Sequence, residues 1–187
     1  MPGRERIEAA CRGLARGPRL AGLAGLAARK RQGLWLVGGA LRDLALGLDS
    51  PDLDLAADGD ALGLAREFAV ESGATFVLLD QRHQSARLAW PGEHLDITGL
   101  RAPGIAQDLA ARDFTINALA YTLAGGPAGL LDPTGGLADL TRRVLTPCGP
   151  GVLRADPLRV LRAYRFFSAL GMEIPAATAH GLAAAAP

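Results

Sequence analysis

At 187 residues, 49% hydrophobic and 21% charged, the chain is long enough for one well-packed domain, or one domain and the start of a second, and its composition excludes intrinsic disorder. Twenty Lys and Arg against nineteen Asp and Glu leave a net charge of +1, so a nucleic-acid contact has to come from a local patch, not a global basic field. Cys11 and Cys148 are too few for a disulfide framework or a zinc site, which fits a reducing cytoplasm.

In chain order, the amino-terminal residues mix Arg and Glu without the apolar core of a secretory signal. Residues 5–31 read as one or two helices broken near Gly17-Pro18. "GLWLVGG" (33–39) is a buried strand entering a tight turn, and "ALRDLALG" continues at helical period to Gly47. A turn at Ser50-Pro51 opens a short strand from Asp52, and a helix follows over 59–72. Residues 75–79, 85–90 and 94–100 predict three further strands, and 106–124 reads as mostly helical. "LLDPTGGLADL" (130–140) is a turn-rich crossing into a short helix. From Leu153 the spacing predicts one amphipathic helix, with Leu158, Val160, Leu161, Phe166, Phe167 and Leu170 as its packing face, and no strands after it. The boundary falls near 148–152, at "CGPG", and no apolar run reaches membrane-spanning length.

Three groups of residues offer chemistry. Gly38-Gly39, between strand and helix, lets a phosphate approach backbone N–H groups at a helix start, with Arg42 in reach of the same anion. The same glycines also serve a merely tight turn. Asp52 and Asp54 are two apart on a strand and share a face, with Leu53 and Leu55 turned to the core. Such a pair is either a solvated sheet edge or a cradle for a hard divalent cation. Asp96, on the strand "HLDIT", is either a third carboxylate or an exposed strand aspartate. Asp156, Arg159, Arg162 and Arg165 recur every three residues and form a slanting stripe. That stripe is a solvated basic face or a set of donors and acceptors fitted to a base edge.

These residues resemble the class II tRNA nucleotidyltransferases, which build the 3′-terminal CCA of tRNA, and their bacterial poly(A) polymerase relatives. "LVGGALRDLALGLDSPDLDLA" is similar to that family's first motif, "RDFTINALAY" (112–121) to its sugar-contacting motif, "DPTGGLADL" (132–140) to its hinge, and "DPLRVLRAYRF" (156–166) to its nucleotide-choosing template. The resemblance implies an α/β nucleotidyltransferase (polymerase-beta-like) head, a mixed twisted sheet with flanking helices, over residues 1–150, and the start of an all-α neck over 151–187. It implies Mg2+ on Asp52 and Asp54, triphosphate on Gly38, Gly39 and Arg42, sugar and phosphates on Arg112 with Asp113 and Asn117, and the base on Asp156 and Arg159, continued by Arg162 and Arg165. The implied partners are CTP or ATP and a tRNA 3′ end, in the cytoplasm, without a membrane or an obligate protein partner.

The chain departs from that pattern in three places. Ala111 stands where the family has a first arginine before "DFT", and Ala155 where its template motif has glutamate. "RAPGIAQDLAA" (101–111) is short where full CCA-adding members carry a long flexible loop, and in this family such a loss goes with enzymes adding only the two cytidines. The rivals are a poly(A) polymerase, a small-molecule nucleotidyltransferase on the same head, and a non-catalytic RNA-binding remnant.

Overall fold

The computed structural model describes residues 4–49 and 52–185; the turn expected at Ser50-Pro51 lies outside the described residues. Two helices, α1 (Arg4–Ala15) and α2 (Pro18–Arg29), lead into β1 (Leu34–Val37) and α3 (Gly39–Leu46). Then follow β2 (Leu53–Ala57), α4 (Ala61–Ser72), β3 (Thr75–Asp80), β4 (Ser85–Trp90) and β5 (Glu93–Gly99). The next elements are α5 (Ile105–Ala110), a 3-10 turn (Thr115–Asn117), β6 (Ala120–Ala124), β7 (Leu130–Leu131) and α6 (Gly136–Arg142). The chain closes on α7 (Val152–Ala155), α8 (Leu158–Leu170) and α9 (Ala176–Ala185). The strands form one mixed sheet ordered β3-β4-β5-β2-β1-β6-β7, in which β2 and β5 are parallel and every other pair is antiparallel.

Strand alternation divides the sheet into two unequal faces. Leu34, Leu36, Leu55, Ala57, Leu88, Leu95 and Ile97 point into the main core with α1 to α4. On the other face, Trp35, Val37, Ala56 and Ala120 meet Leu109 and Ala118 in a small second core. That core takes in β1, β6 and Ala56 of β2, and the face beyond it, around Asp54, stays open. The main core also takes in Leu153, Val160, Ala163, Phe166, Met172 and Leu182.

Four expectations change. The strand expected from Asp52 begins one residue later, at Leu53. The helix expected over 106–124 is three elements, because Ala120–Ala124 completes the sheet beside β1 and tertiary pairing overrides helical spacing. The single helix expected from Leu153 breaks at Asp156 (φ −152°, ψ 107°), since the following Pro157 disfavours helical backbone before it. The packing face of α8 is narrower than its sequence suggests: Val160 and Phe166 are buried, whereas Leu158, Leu161 and Phe167 are more than half exposed because that side turns away from the sheet.

Candidate active site

The open part of the second face is a cleft of about 650 Å³, within the range of small-ligand sites. The β1–α3 turn forms one wall. Gly38 there has φ +75°, which favours glycine, and a Cβ on it would stand 3.2 Å from the Arg112 guanidinium, which would have to shift slightly. Gly39 opens α3, whose first turn carries Arg42. Arg42 is held in place by its neighbours: Nε donates to Asp43 Oδ1 (2.8 Å) and Nη1 to Asn117 Oδ1 (2.8 Å).

Asp54 projects from β2 into the cleft, opposite in sense to Leu53 and Leu55, and Asp52 lies just before the strand. The cleft walls desolvate Asp54, Asp96 and Asp52 add repulsion, and Arg112 and Arg87 offset only part of this, so the Asp54 pKa is raised. His94 Nε2 lies 3.2 Å from Asp52 Oδ1. The donor set fits a hard divalent cation: two carboxylates with room for substrate phosphates, one of them carrying charge crowding that a cation would relieve. No group of three or more His, Cys, Asp and Glu is arranged as a metal site among the described residues. Asp96 is the in-register neighbour of Asp54 on β5, but both its oxygens take a fork from Arg87 (2.7 and 2.8 Å) and it does not line the cleft.

The remaining walls come from the 100–117 segment and the carboxy-terminal helices. Asp113 and Asn117 are buried in the wall, and Arg162 of α8 donates Nε to Asp113 Oδ2 at 2.7 Å. Arg159 Nη1 donates to the Val152 carbonyl at 3.0 Å. Asp156 lies ahead of α8, off the helical stripe, where its Oδ1 accepts the Leu158 N–H (2.9 Å). The guanidiniums of Arg42, Arg162 and Arg165 all lie 5.1–5.4 Å from the Phe166 ring. Every sequence-predicted site residue except Asp96 therefore lines this one cleft.

Sequence reasoning missed Arg101, Asp108 and Asp43, which also line the cleft and bring its charged set to six aspartates and six arginines. Asp108 is buried; it accepts the Arg101 N–H (3.0 Å) and the Arg112 guanidinium (3.2 Å), closing the 101–111 segment on itself. Its position four residues before Arg112, at the helical ion-pair spacing, was the available signal. The motif at 132–140 supports the 3-10 turn from behind: Asp132 accepts the Gly136 and Leu137 N–H groups, and Thr115 Oγ1 donates to Asp139 (2.6 Å). A Cβ on Gly136 would overlap the Thr115 carbonyl.

Comparison with known proteins places this arrangement. The model of the poly A polymerase head domain matches residues 34–106 and 101–146. The CC-adding tRNA nucleotidyltransferase of Geobacter sulfurreducens is 45% identical over 158 residues, 83% of this chain and 36% of that protein. The A-adding tRNA nucleotidyltransferase of Deinococcus radiodurans is 42% identical over 142 residues, 76% of this chain and 32% of its own length. The CCA-adding enzyme of Thermotoga maritima, solved in complex with tRNA, superposes with a TM-score of 0.80 at 34% identity, covering 89% of this chain and 40% of that one. The chain thus spans about a third of the length of the curated relatives it matches. The matched residues run from the first residue of β1 through α6 and carry both the glycine turn and the carboxylates, so the chain belongs to the poly A polymerase head domain family.

Proposed function

We propose that the chain is the nucleotide-binding and catalytic part of a tRNA nucleotidyltransferase that adds cytidines to the tRNA 3′ end. Residues 1–150 are its head and 151–187 the beginning of a helical, base-reading neck. The observation that carries this is the meeting, in one cleft, of the Gly38-Gly39 turn, the Asp52 and Asp54 carboxylates and the arginines of α8. The glycine turn and Arg42 receive the triphosphate, because backbone N–H groups at a helix start and a guanidinium both stabilise anionic oxygens. Arg112, beside Gly38, serves the same phosphates. Asp156 and Arg159 face the base edge. The RNA 3′-hydroxyl attacks the α-phosphorus in line with the departing pyrophosphate, and the protein contributes mainly position and charge. Asp52 and Asp54 would hold magnesium, which when bound would supply positive charge to the phosphates and acidity to the hydroxyl.

The preference for cytidine rests on the 101–111 segment. Switching from CTP to ATP requires a changed hydrogen-bonding pattern from Asp156 and Arg159, because the two bases offer different donors and acceptors. Here the chain that could lever such a change is short, half of it is α5, and Asp108 fastens it at both ends. The test is incubation with magnesium, CTP or ATP, and tRNAs ending before the first C, after one C, or after both. Addition of two cytidines and no adenosine to the CC-ending tRNA is expected. Efficient adenosine addition overturns the cytidine preference, long adenosine tails favour polyadenylation, and no incorporation on any substrate sinks the catalytic reading.

A further inference from the structure

Phe166 differs from the α8 residues around it. Arg159, Arg162 and Arg165 line the cleft, whereas Phe166 is 3% exposed and is not part of the lining. Its ring stands edge-on to that of Phe114, with centroids 6.0 Å apart and planes at 87°. Phe114 is fully buried and opens the 3-10 turn. Three guanidiniums gather on the Phe166 ring: Arg165 at 5.1 Å from its centroid, and Arg42 and Arg162 at 5.4 Å. Arg162 and Arg165 are three apart on one helix, where like charges repel, and Arg42 brings a third positive charge from α3. Two of the three are held by acceptors. Arg42 donates to Asp43 and Asn117, and Arg162 donates to Asp113. Among the described residues no hydrogen bond or ion pair takes the Arg165 guanidinium, so the Phe166 ring is what it rests on.

We propose that Phe166 is a positioning residue for nucleotide binding. The electron-rich face of its ring, more than its bulk, keeps three mutually repelling guanidiniums together at the cleft, and it alone places Arg165. The proposal rests on the nucleotidyltransferase reading above. The face of an aromatic ring carries partial negative charge and attracts a cation within about 6 Å of its centroid. All three arginines of the group meet that distance. A carboxylate in place of the ring would hold Arg165 as Asp113 holds Arg162, but it would neutralise the charge and occupy N–H donors. The ring does neither. All five donors of Arg165 stay available to an anionic or polar ligand. Arginine has a long flexible stem, so without such a surface its direction is undefined. Because Phe114 packs edge-on against Phe166, the three guanidiniums take their position from the buried core.

A packing role and a positioning role differ in their response to the charge on the ring face. Fluorine withdraws electron density from that face while barely changing the size of the ring. The test is calorimetric titration with CTP of the wild-type chain and of proteins carrying 4-fluoro-, 3,5-difluoro- or 3,4,5-trifluorophenylalanine in place of Phe166. CTP affinity should fall stepwise with the number of fluorines, to roughly fivefold below wild type for the trifluoro ring. In an Arg165→Ala background the same series should lose more than half of its slope, because the guanidinium that has no other anchor is gone. If the trifluoro ring lowers the melting midpoint, the mono- and difluoro proteins carry the same expectations. A flat series overturns the proposal alone, as does one that keeps half or more of its slope in Arg165→Ala; Phe166 then serves packing only. Wild-type protein that binds no CTP overturns the nucleotidyltransferase reading, and this proposal with it.

Discussion

Asp54 concentrates the electrostatic tension of the site. Its pKa is raised, first by desolvation between the cleft walls and then by Asp96 and Asp52, against the opposing pull of Arg112 and Arg87. A carboxyl whose pKa is higher folded than unfolded destabilises the fold once it ionises, so the cost is absent in acid and complete above the raised pKa. Asp54→Asn should therefore melt at a higher temperature than wild type at neutral pH, with the gap closing as pH falls through the raised pKa towards the ordinary aspartate range. The same variant should lose nucleotide incorporation entirely. Melting curves between pH 4 and 8, beside an incorporation assay, check both halves; a variant less stable than wild type at neutral pH would contradict the charge-crowding account. At this scale the sequence was informative about the carboxylates, because i, i+2 spacing on a strand fixes a shared face. It left Asp96 open between a third carboxylate and a strand aspartate, because nothing in "HLDIT" shows that Arg87, on a neighbouring strand, would occupy both its oxygens.

Among elements, those set by local signals were legible and those set by long-range pairing were not. β1, the glycine turn and α3 follow from an apolar run, two glycines and a helical period, all within fourteen residues of sequence, 33–46. β6 was hidden because "ALAYTLA" reads equally well at helical spacing, and only the free edge of β1 makes it a strand. The break at Asp156-Pro157 was readable, since a residue before proline avoids helical backbone, but the run of helix formers on both sides masked it. The 101–111 segment depends on a single buried side chain. Asp108→Ala should leave the Arg101 N–H and the Arg112 guanidinium without their acceptor and cost roughly 1–3 kcal/mol, measurable by urea denaturation. It should also weaken every nucleotide alike, because Arg112 would no longer be held beside Gly38.

The whole molecule shares one main core. Phe166 of α8 packs edge-on to Phe114, and Val160, Ala163 and Leu182 join the cluster that holds Leu34, Leu36 and Leu55 of the sheet. Unfolding should accordingly be a single transition across the described residues, the sheet and α7–α9 together. Phe166→Ala should cost about 3–5 kcal/mol and shift that transition as a unit. Trp35 and Trp90 lie on β1 and β4, so their fluorescence follows the sheet, while far-ultraviolet circular dichroism follows the helices. Coincident midpoints in both proteins are expected; a helical signal that melts ahead of the tryptophans would show that α7–α9 unfold independently.

The matched numbers of aspartates and arginines in the cleft have a kinetic meaning. Opposite charges at close quarters nearly cancel at distances beyond a Debye length, about 8 Å at physiological ionic strength. A triphosphate approaching from solution meets little net field, from the cleft or from a chain of net charge +1. Its capture is then governed by ordinary diffusion and by short-range fit once it is inside, and the encounter rate changes little with salt. The paired charges act only on a ligand already in the cleft, where Asp43, Asp108 and Asp113 hold the guanidiniums of Arg42, Arg112 and Arg162.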